Sequence, residues 1–230
     1  MAITPAMVVV LTAPSPTSRI PSFPFAGAIS AGLDTGKNYI IIGWMLPAPR
    51  KTDPYMLVTG MASVKMGHHL VQIGCAHGGR LGAIAVNVGL SGRAVAYVPD
   101  AASAERARKG AAEAGVLVDV EIAPPSRLPA EAESFDVAVV DDTGGLLATM
   151  SPEGRVATVR EIVRILKPGG RVLVIGALPR SGLGALFTRA QSGPPFDPQP
   201  SLEADGFKFV RLLAEREGLR FTEGVKQKRT

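Results

Sequence analysis

His69-Leu70-Val71-Gln72-Ile73-Gly74-Cys75-Ala76-His77-Gly78-Gly79 is the stretch around which the remaining sequence falls into order. Leu70, Val71 and Ile73 are apolar and β-favouring, which predicts a short buried strand over Leu70–Gly74. Gly74 and Gly78 then permit backbone angles that other residues resist, and a helix follows. A phosphate or carboxylate can approach such a turn closely, and the first turn of the next helix offers it unpaired N–H groups. Gln72 and Ala76 occupy positions where a tighter glycine motif carries other residues.

The chain of 230 residues is long enough for one sizeable α/β domain with a short appendage. Its hydrophobic content of 46% and charged content of 20% are those of a globular protein. A net charge of +5 is modestly basic, but no lysine or arginine run is long enough to require nucleic acid or an anionic membrane. Arg106, Arg108 and Lys109, and the tail Lys226, Lys228 and Arg229, read as solvated surface without interleaved aromatics, so nucleic acid is not expected as a partner. The single cysteine, Cys75, excludes an intrachain disulfide and fits a reducing, cytoplasmic compartment. No apolar run reaches the roughly 18–20 residues of a membrane span.

Residues 1–50 hold seven of the nineteen prolines and only four charged side chains, which predicts a poorly ordered arm ahead of a domain over residues 51–230. Tyr39–Leu46 is the part of that arm most able to dock on a core. Met7–Leu11 lacks the charged flank and length of a secretory signal, and a start at an internal methionine such as Met45 is a second expectation for this region.

From Asp53 the pattern is regular. Asp53 and Pro54 read as N-cap and first position of a helix with Met56, Leu57 and Met61 on its apolar face. A helix from about Arg80 to Val88 buries Leu81, Ile84, Ala85 and Val88. Strand Arg93–Val98 precedes a helix over Ala101–Ala114, stopped by Gly115. Val116–Ile122 alternates as a third strand, and Phe135–Val140 is a nearly continuous apolar run, as a fully buried parallel strand is. Ser151-Pro152-Glu153 opens a helix with a stripe of Val156, Val159, Val163 and Leu166. Lys167-Pro168-Gly169-Gly170 stops it and turns into strand Arg171–Gly176. Gly182–Arg189 reads as helix, Ser192–Pro200 as loop and Leu202–Asp205 as a helical turn. Phe207–Leu213 and Leu219–Val225 then form an antiparallel hairpin across Glu215–Gly218. The architecture expected is a Rossmann-like, doubly wound α/β sheet of seven strands, mostly parallel and ending in that hairpin.

From about Val64 to Val225 this order resembles the class I S-adenosylmethionine-dependent methyltransferases. Val64–Cys75 looks like the family's approach to its cofactor loop, Ser134–Val140 like its fourth strand, and Leu202–Phe207 with the hairpin like its ending. Leu166-Lys167-Pro168-Gly169-Gly170-Arg171-Val172-Leu173 is the most specific match. The resemblance implies S-adenosyl-L-methionine as cofactor, bound across the carboxyl ends of strands one to four. Carried over by position, the cofactor-binding residues are Gln72, Gly74, Cys75, Ala76, His77, Gly78, Val98, Asp100 and Asp141. The family has an acid at the position of Gln72, a glycine at Ala76, a ribose-gripping acid at Val98 and often an acid near Pro124 or Pro125. Asp100, two residues beyond Val98, is the acid available to the ribose.

Asp141 and Asp142, at the mouth of the fourth strand, are the catalytic candidates: a carboxylate there favours a sulfonium or serves as base. Equally, one of them caps the Thr143-Gly144-Gly145 turn. The chain carries no Asn/Asp-Pro-Pro-Tyr sequence of amino-directed nucleic-acid methyltransferases, which favours a small-molecule acceptor. His68, His69, Cys75 and His77 do not match zinc spacing, so no metal is expected. Two further readings compete. One is a methyltransferase-like domain that has lost catalysis and serves in binding or assembly, with a homodimer or another partner. The other, a nicotinamide-dependent oxidoreductase, is disfavoured because Gly74-x-x-x-Gly78-Gly79 is not Gly-x-Gly-x-x-Gly. The N-terminal arm and Arg180–Pro200 are expected to close over the pocket and to set the acceptor.

Overall fold

The computed structural model describes residues 53–178 and 196–228. The arm over residues 1–50, the helix expected at Gly182–Arg189 and most of the Arg180–Pro200 segment lie outside the described residues. The elements run α1 (Met56–Ala62), β1 (His69–Ile73), α2 (Gly78–Val86), β2 (Arg93–Val98), α3 (Ala101–Ala114), β3 (Asp119–Ile122), β4 (Phe135–Asp142), α4 (Pro152–Ile165), β5 (Leu166–Ala177), α5 (Gln199–Ala204), β6 (Phe207–Arg216) and β7 (Leu219–Lys226). One seven-stranded sheet has the order β3-β2-β1-β4-β5-β7-β6. β1 to β5 pair in parallel, and β7 pairs antiparallel with both β5 and β6. This is the mixed, mostly parallel α/β sheet that the alternation of strand and helix signals predicts.

Strand alternation sorts the core into two layers. Leu70, Val137, Val139, Leu173 and Ile175 pack with Val58 and Ala62 of α1 and with Ile84 and Ala85 of α2. Val71, Ile73, Ala138, Val140, Val172 and Val174 face Val159, Ile162 and Ile165 of α4 and Leu202 of α5. A third group, Leu81, Ala96, Val98, Ala104 and Ala107, joins α3 to the first layer.

Several boundaries and faces differ from the sequence reading. Asp53 Oδ1 accepts from the Tyr55 N–H, so Asp53 closes a turn, and α1 opens two residues later than expected. α1 buries Val58 and Ala62, whereas Met56 is exposed. β3 is shorter than the alternation implied, because the Val116 N–H bonds back to the Ala111 carbonyl and ties the chain to the end of α3. The buried stripe of α4 is Val159, Ile162 and Ile165 with Thr158, rather than Val156 and Val163. Strand β5 starts at Leu166, which pairs with Phe135, and pairing resumes with Arg171 opposite Val137; Lys167–Gly170 bulges between them. The hairpin connection is only Glu217-Gly218, both with positive φ (57° and 74°), as a two-residue turn of the primed type requires.

Two devices fix α1 and α2. Arg171 of β5 donates to the Met61 and Ala62 carbonyls at the end of α1, while its guanidinium pairs with buried Glu223 of β7 at 2.7 Å. Helices α2 and α3 cross so closely that a Cβ on Gly110 would land on the Gly78 carbonyl, and one on Gly82 would sit 2.5 Å from the Gly110 oxygen. Gly110→Ala is therefore expected to lower stability by about 1–3 kcal/mol through overpacking. Gly60→Ala, in α1 with nothing near its Cβ, raises it by about 0.5–1 kcal/mol. Urea unfolding midpoints of the two variants check the pair of signs.

Candidate active site

The carboxyl ends of β1, β2 and β4 meet at the glycine turn. Gly74 leaves β1 with φ +76°, and its N–H donates to the Tyr97 carbonyl at 2.8 Å. A Cβ there would press on the Leu146 side chain and lie 3.1 Å from the Asp141 carbonyl oxygen. Gln72 is buried, and its Nε2 donates to the Gly74 carbonyl at 3.0 Å. A carboxylate at that position could not donate, so the amide suits a turn held by its own strand. The Cys75 carbonyl accepts from Arg106 Nε at 3.1 Å, and burial, reinforced by the Asp141 charge, pushes the Cys75 thiol up to about 11. That thiol is protonated at neutral pH and is no nucleophile in this state.

Asp141 and Asp142 are the last two residues of β4, inside the strand rather than beyond it. Adjacent strand residues point to opposite sides, so the two carboxylates part company. Asp141 Oδ2 accepts the N–H of Ala76 at 2.9 Å and of His77 at 3.3 Å, at the start of α2. Its Oδ1 accepts Thr143 Oγ1 at 2.6 Å and Thr143 N at 3.3 Å. Arg80 Nη2, from the first turn of α2, pairs with Asp141 at 3.3 Å and also donates to Thr143 Oγ1. Asp142 instead accepts the Leu147 N–H at 2.5 Å. Burial is the main cause that raises its carboxyl to about 6, against the opposing Leu147 and Ala148 amides and with help from the Asp141 charge. Both candidate acids thus hold the segment after β4 in place.

At the end of β2, Val98 is fully buried among Leu81, Ala96, Ala104 and Ala107. Asp100 caps α3, accepting Ser103 N at 2.8 Å and Ser103 Oγ at 3.0 Å. These bonds hold its carboxyl below the usual range. Arg106 Nη2 completes the chain by donating to Ser103 Oγ at 2.8 Å. Ala123 ends β3 with a bond to the Val98 carbonyl, and Pro124 and Pro125 follow it. On the other flank, the Tyr55 and His77 rings lie 5.8 Å apart, tilted by 57°, with the Tyr55 hydroxyl against Gly79.

The structure therefore gathers Gln72, Gly74, Cys75, Ala76, His77, Gly78, Asp141 and the Asp100 cap around one turn. His68 and His69 lie at the opposite end of β1; the His69 N–H donates to Asp136 at 2.8 Å and the His68 ring meets the Lys65 amide. Among the described residues no cluster of His, Cys, Asp and Glu could hold a metal, and no helix is long and apolar enough to cross a membrane. Arg80, Arg106, Thr143, Leu146 and Tyr55 are the site neighbours that sequence reasoning missed. Arg106 reads from the sequence as solvated surface and Arg80 only as a helix start, and tertiary packing turns both inward.

A family model described as a methyltransferase domain matches residues 70–170. Among solved structures, a S-adenosylmethionine-dependent methyltransferase from Aquifex aeolicus is 18% identical with a TM-score of 0.59, over 75% of this chain and 89% of that one. The methyltransferase SibL in its apo form is 24% identical with a TM-score of 0.54, over 70% of this chain and 51% of that one. The [4+2]-cyclase SpnF is 19% identical with a TM-score of 0.55, over 75% of this chain and 80% of that one. No curated protein matches this chain in sequence. At these identities the solved structures establish a shared fold.

Asp142 also carries a pH signature. Its folded carboxyl, at about 6, binds a proton more readily than the unfolded one at 3.8. Between those values the folded state holds more protons, so this residue's contribution to stability rises as pH falls from 7 towards 4. Asp142→Asn keeps an acceptor for Leu147 and removes the titration. Urea midpoints at pH 7 and pH 5 are expected to show the variant gaining most over the native chain at pH 7, with the gap narrowing at pH 5.

Proposed function

We propose that the chain, whose residues 70–170 match a methyltransferase-domain model and whose fold is shared with a S-adenosylmethionine-dependent methyltransferase, transfers the methyl group of S-adenosyl-L-methionine to a small-molecule acceptor. One observation carries the reading. The Ala76 and His77 amides converge with Arg80 on a carboxylate at the carboxyl end of β1, which is the chemistry that the amino-acid end of the cofactor demands. Here the Asp141 side chain stands in for that carboxylate, and the donor set fits the group.

In this reading Gly74, Cys75, Ala76, His77 and Gly78 form the wall of the methionine subsite, and Gln72 holds the wall rigid through the Gly74 carbonyl. Val98 is packed away under α2 and α3, and Asp100 is the acid available to a ribose, at the cost of sharing its oxygens with Ser103. The bound cofactor supplies an electrophilic methyl group on a sulfonium. This chain's own residues position: the Ala76 and His77 amides and Arg80 hold the carboxylate end, and the buried turn excludes water. Transfer of a methyl group in line depends mainly on such positioning. A small acceptor is supported by Asp141-Asp142-Thr143-Gly144 in the place where amino-directed nucleic-acid methyltransferases carry their Pro-Pro-Tyr sequence. The proposal takes residues 51–230 as the working unit and a cytoplasmic setting, in keeping with a single buried cysteine.

A second reading, the same domain without turnover, is favoured by one feature: Val98 offers no acceptor and the Asp100 carboxylate is engaged as a helix cap. The structural likeness to a protein named as a cyclase also shows that this fold hosts other chemistry. Titration calorimetry with S-adenosylhomocysteine is expected to give saturable binding, and labelled methyl transfer from S-adenosylmethionine to the low-mass fraction of a cell extract is expected to give product. Absence of heat at millimolar ligand defeats the cofactor reading; binding without transfer to any acceptor favours the second.

A further inference from the structure

Four polar groups of the glycine turn have partners from this same chain. Gly74 O is taken by Gln72, Cys75 O by Arg106, and the Ala76 and His77 amides by Asp141. The segment after β4 reinforces this closure. Leu146 packs where a Gly74 side chain would be, and a Cβ on Gly144 would lie 3.3 Å from that of Ala76. Asp141 has only 2% of its side chain exposed and receives donors from Ala76, His77, Thr143 and Arg80. Arg80, 14% exposed, is used less completely: its Nη2 serves both Asp141 and Thr143, while its buried Nε has no hydrogen-bond partner. A planar guanidinium with a spare buried donor can accept a carboxylate two-pronged rather than through one nitrogen.

We propose that Asp141 is a built-in competitor that occupies the seat of the ligand's carboxylate, and that binding exchanges one carboxylate for the other on Arg80 and the Ala76 and His77 amides. The inference rests on the cofactor reading above and adds a selection rule to it. Two carboxylates cannot share the seat, because like charges in a buried site repel. A ligand that brings its own carboxylate displaces Asp141 and keeps the Arg80 partnership; a ligand that lacks one faces a seat already filled. Exchange of like for like is nearly balanced, so the native chain binds weakly, and the strength of the latch, rather than the ligand contacts alone, sets affinity. Thr143, which donates to Asp141 and accepts from Arg80, holds the latch shut.

The test compares S-adenosylhomocysteine, which has the carboxylate, with 5′-methylthioadenosine, which lacks it, by titration calorimetry. Asp141→Asn keeps the shape of the side chain and removes its charge; it is expected to bind S-adenosylhomocysteine at least ten-fold tighter than the native chain, with 5′-methylthioadenosine changed less than two-fold. Adding Arg80→Met to that variant abolishes the gain. Thr143→Val, a milder change that serves if Asp141→Asn does not fold, moves affinity in the same direction by a smaller factor. In the native chain, saturating S-adenosylhomocysteine is expected to speed amide hydrogen exchange at Thr143 while Ala76 and His77 stay protected. If the native chain binds and neither Asp141→Asn nor Thr143→Val binds tighter, or if both ligands gain alike, the latch is refuted and the cofactor reading stands. If no form binds either ligand, the cofactor reading falls and the latch falls with it.

Discussion

The Asp141 carboxylate is the joint on which the functional end of this molecule turns. It belongs to β4, yet its donors come from the β1 turn, from the first turn of α2 and from the segment after β4. A carboxylate buried to this degree is tolerable only because each oxygen is met by several donors; stripping one partner from a buried charge pair costs on the order of 3–5 kcal/mol. The same demand explains the neighbours. Ala76 presents its N–H from the turn and His77 from the cap of α2, and Arg80 sits a turn further in with its charge turned towards the strand. The glycine turn is thus shaped as much by the anion the chain supplies as by any anion it receives.

Close packing behind the turn makes that arrangement rigid. Gly78 opens α2 and at the same time lets α3 approach to backbone contact at Arg106 and Gly110. Its lack of a side chain serves the helix crossing, whereas Gly74 serves a left-handed backbone angle. Two glycines of one motif therefore answer to different constraints. The close approach of α3 is also what brings Arg106 within reach of the Cys75 carbonyl, so packing and polar satisfaction are one design here.

Features legible in the sequence are those whose cause is local. The apolar runs of β1, β2 and β4, the bounds of α3 with Asp100 and Gly115 at its ends, and the Ser151 cap of α4 all follow from residues within a few positions of one another. The Lys167–Gly170 turn was visible for the same reason, although its residues bulge between two pairings of one strand rather than preceding it. The misplaced stripe of α4 shows the limit of periodicity: Val156, Val159 and Val163 fit a helical face as well as Val159, Ile162 and Ile165 do, and only the sheet beneath selects between them. At the site, position in the motif located the turn, but not its partners. Arg80 lies 61 residues from Asp141 and Arg106 lies 31 from Cys75, and nothing in their local sequence marks them as inward-facing.

Gln72 illustrates how a departure from a family pattern can be a coherent alternative. An acid at its position would add a second negative charge near Asp141 and could not donate to the Gly74 carbonyl. With Asp141 already seated on the turn, a neutral donor is the residue that pairs the Gly74 carbonyl without adding a second charge. The amide and the latch are then two consequences of one electrostatic constraint: this pocket holds a single buried carboxylate, and the chain brings its own. Substituting an acid for Gln72 without releasing Asp141 would place like charges across the turn, so the two positions are expected to be energetically coupled rather than independent.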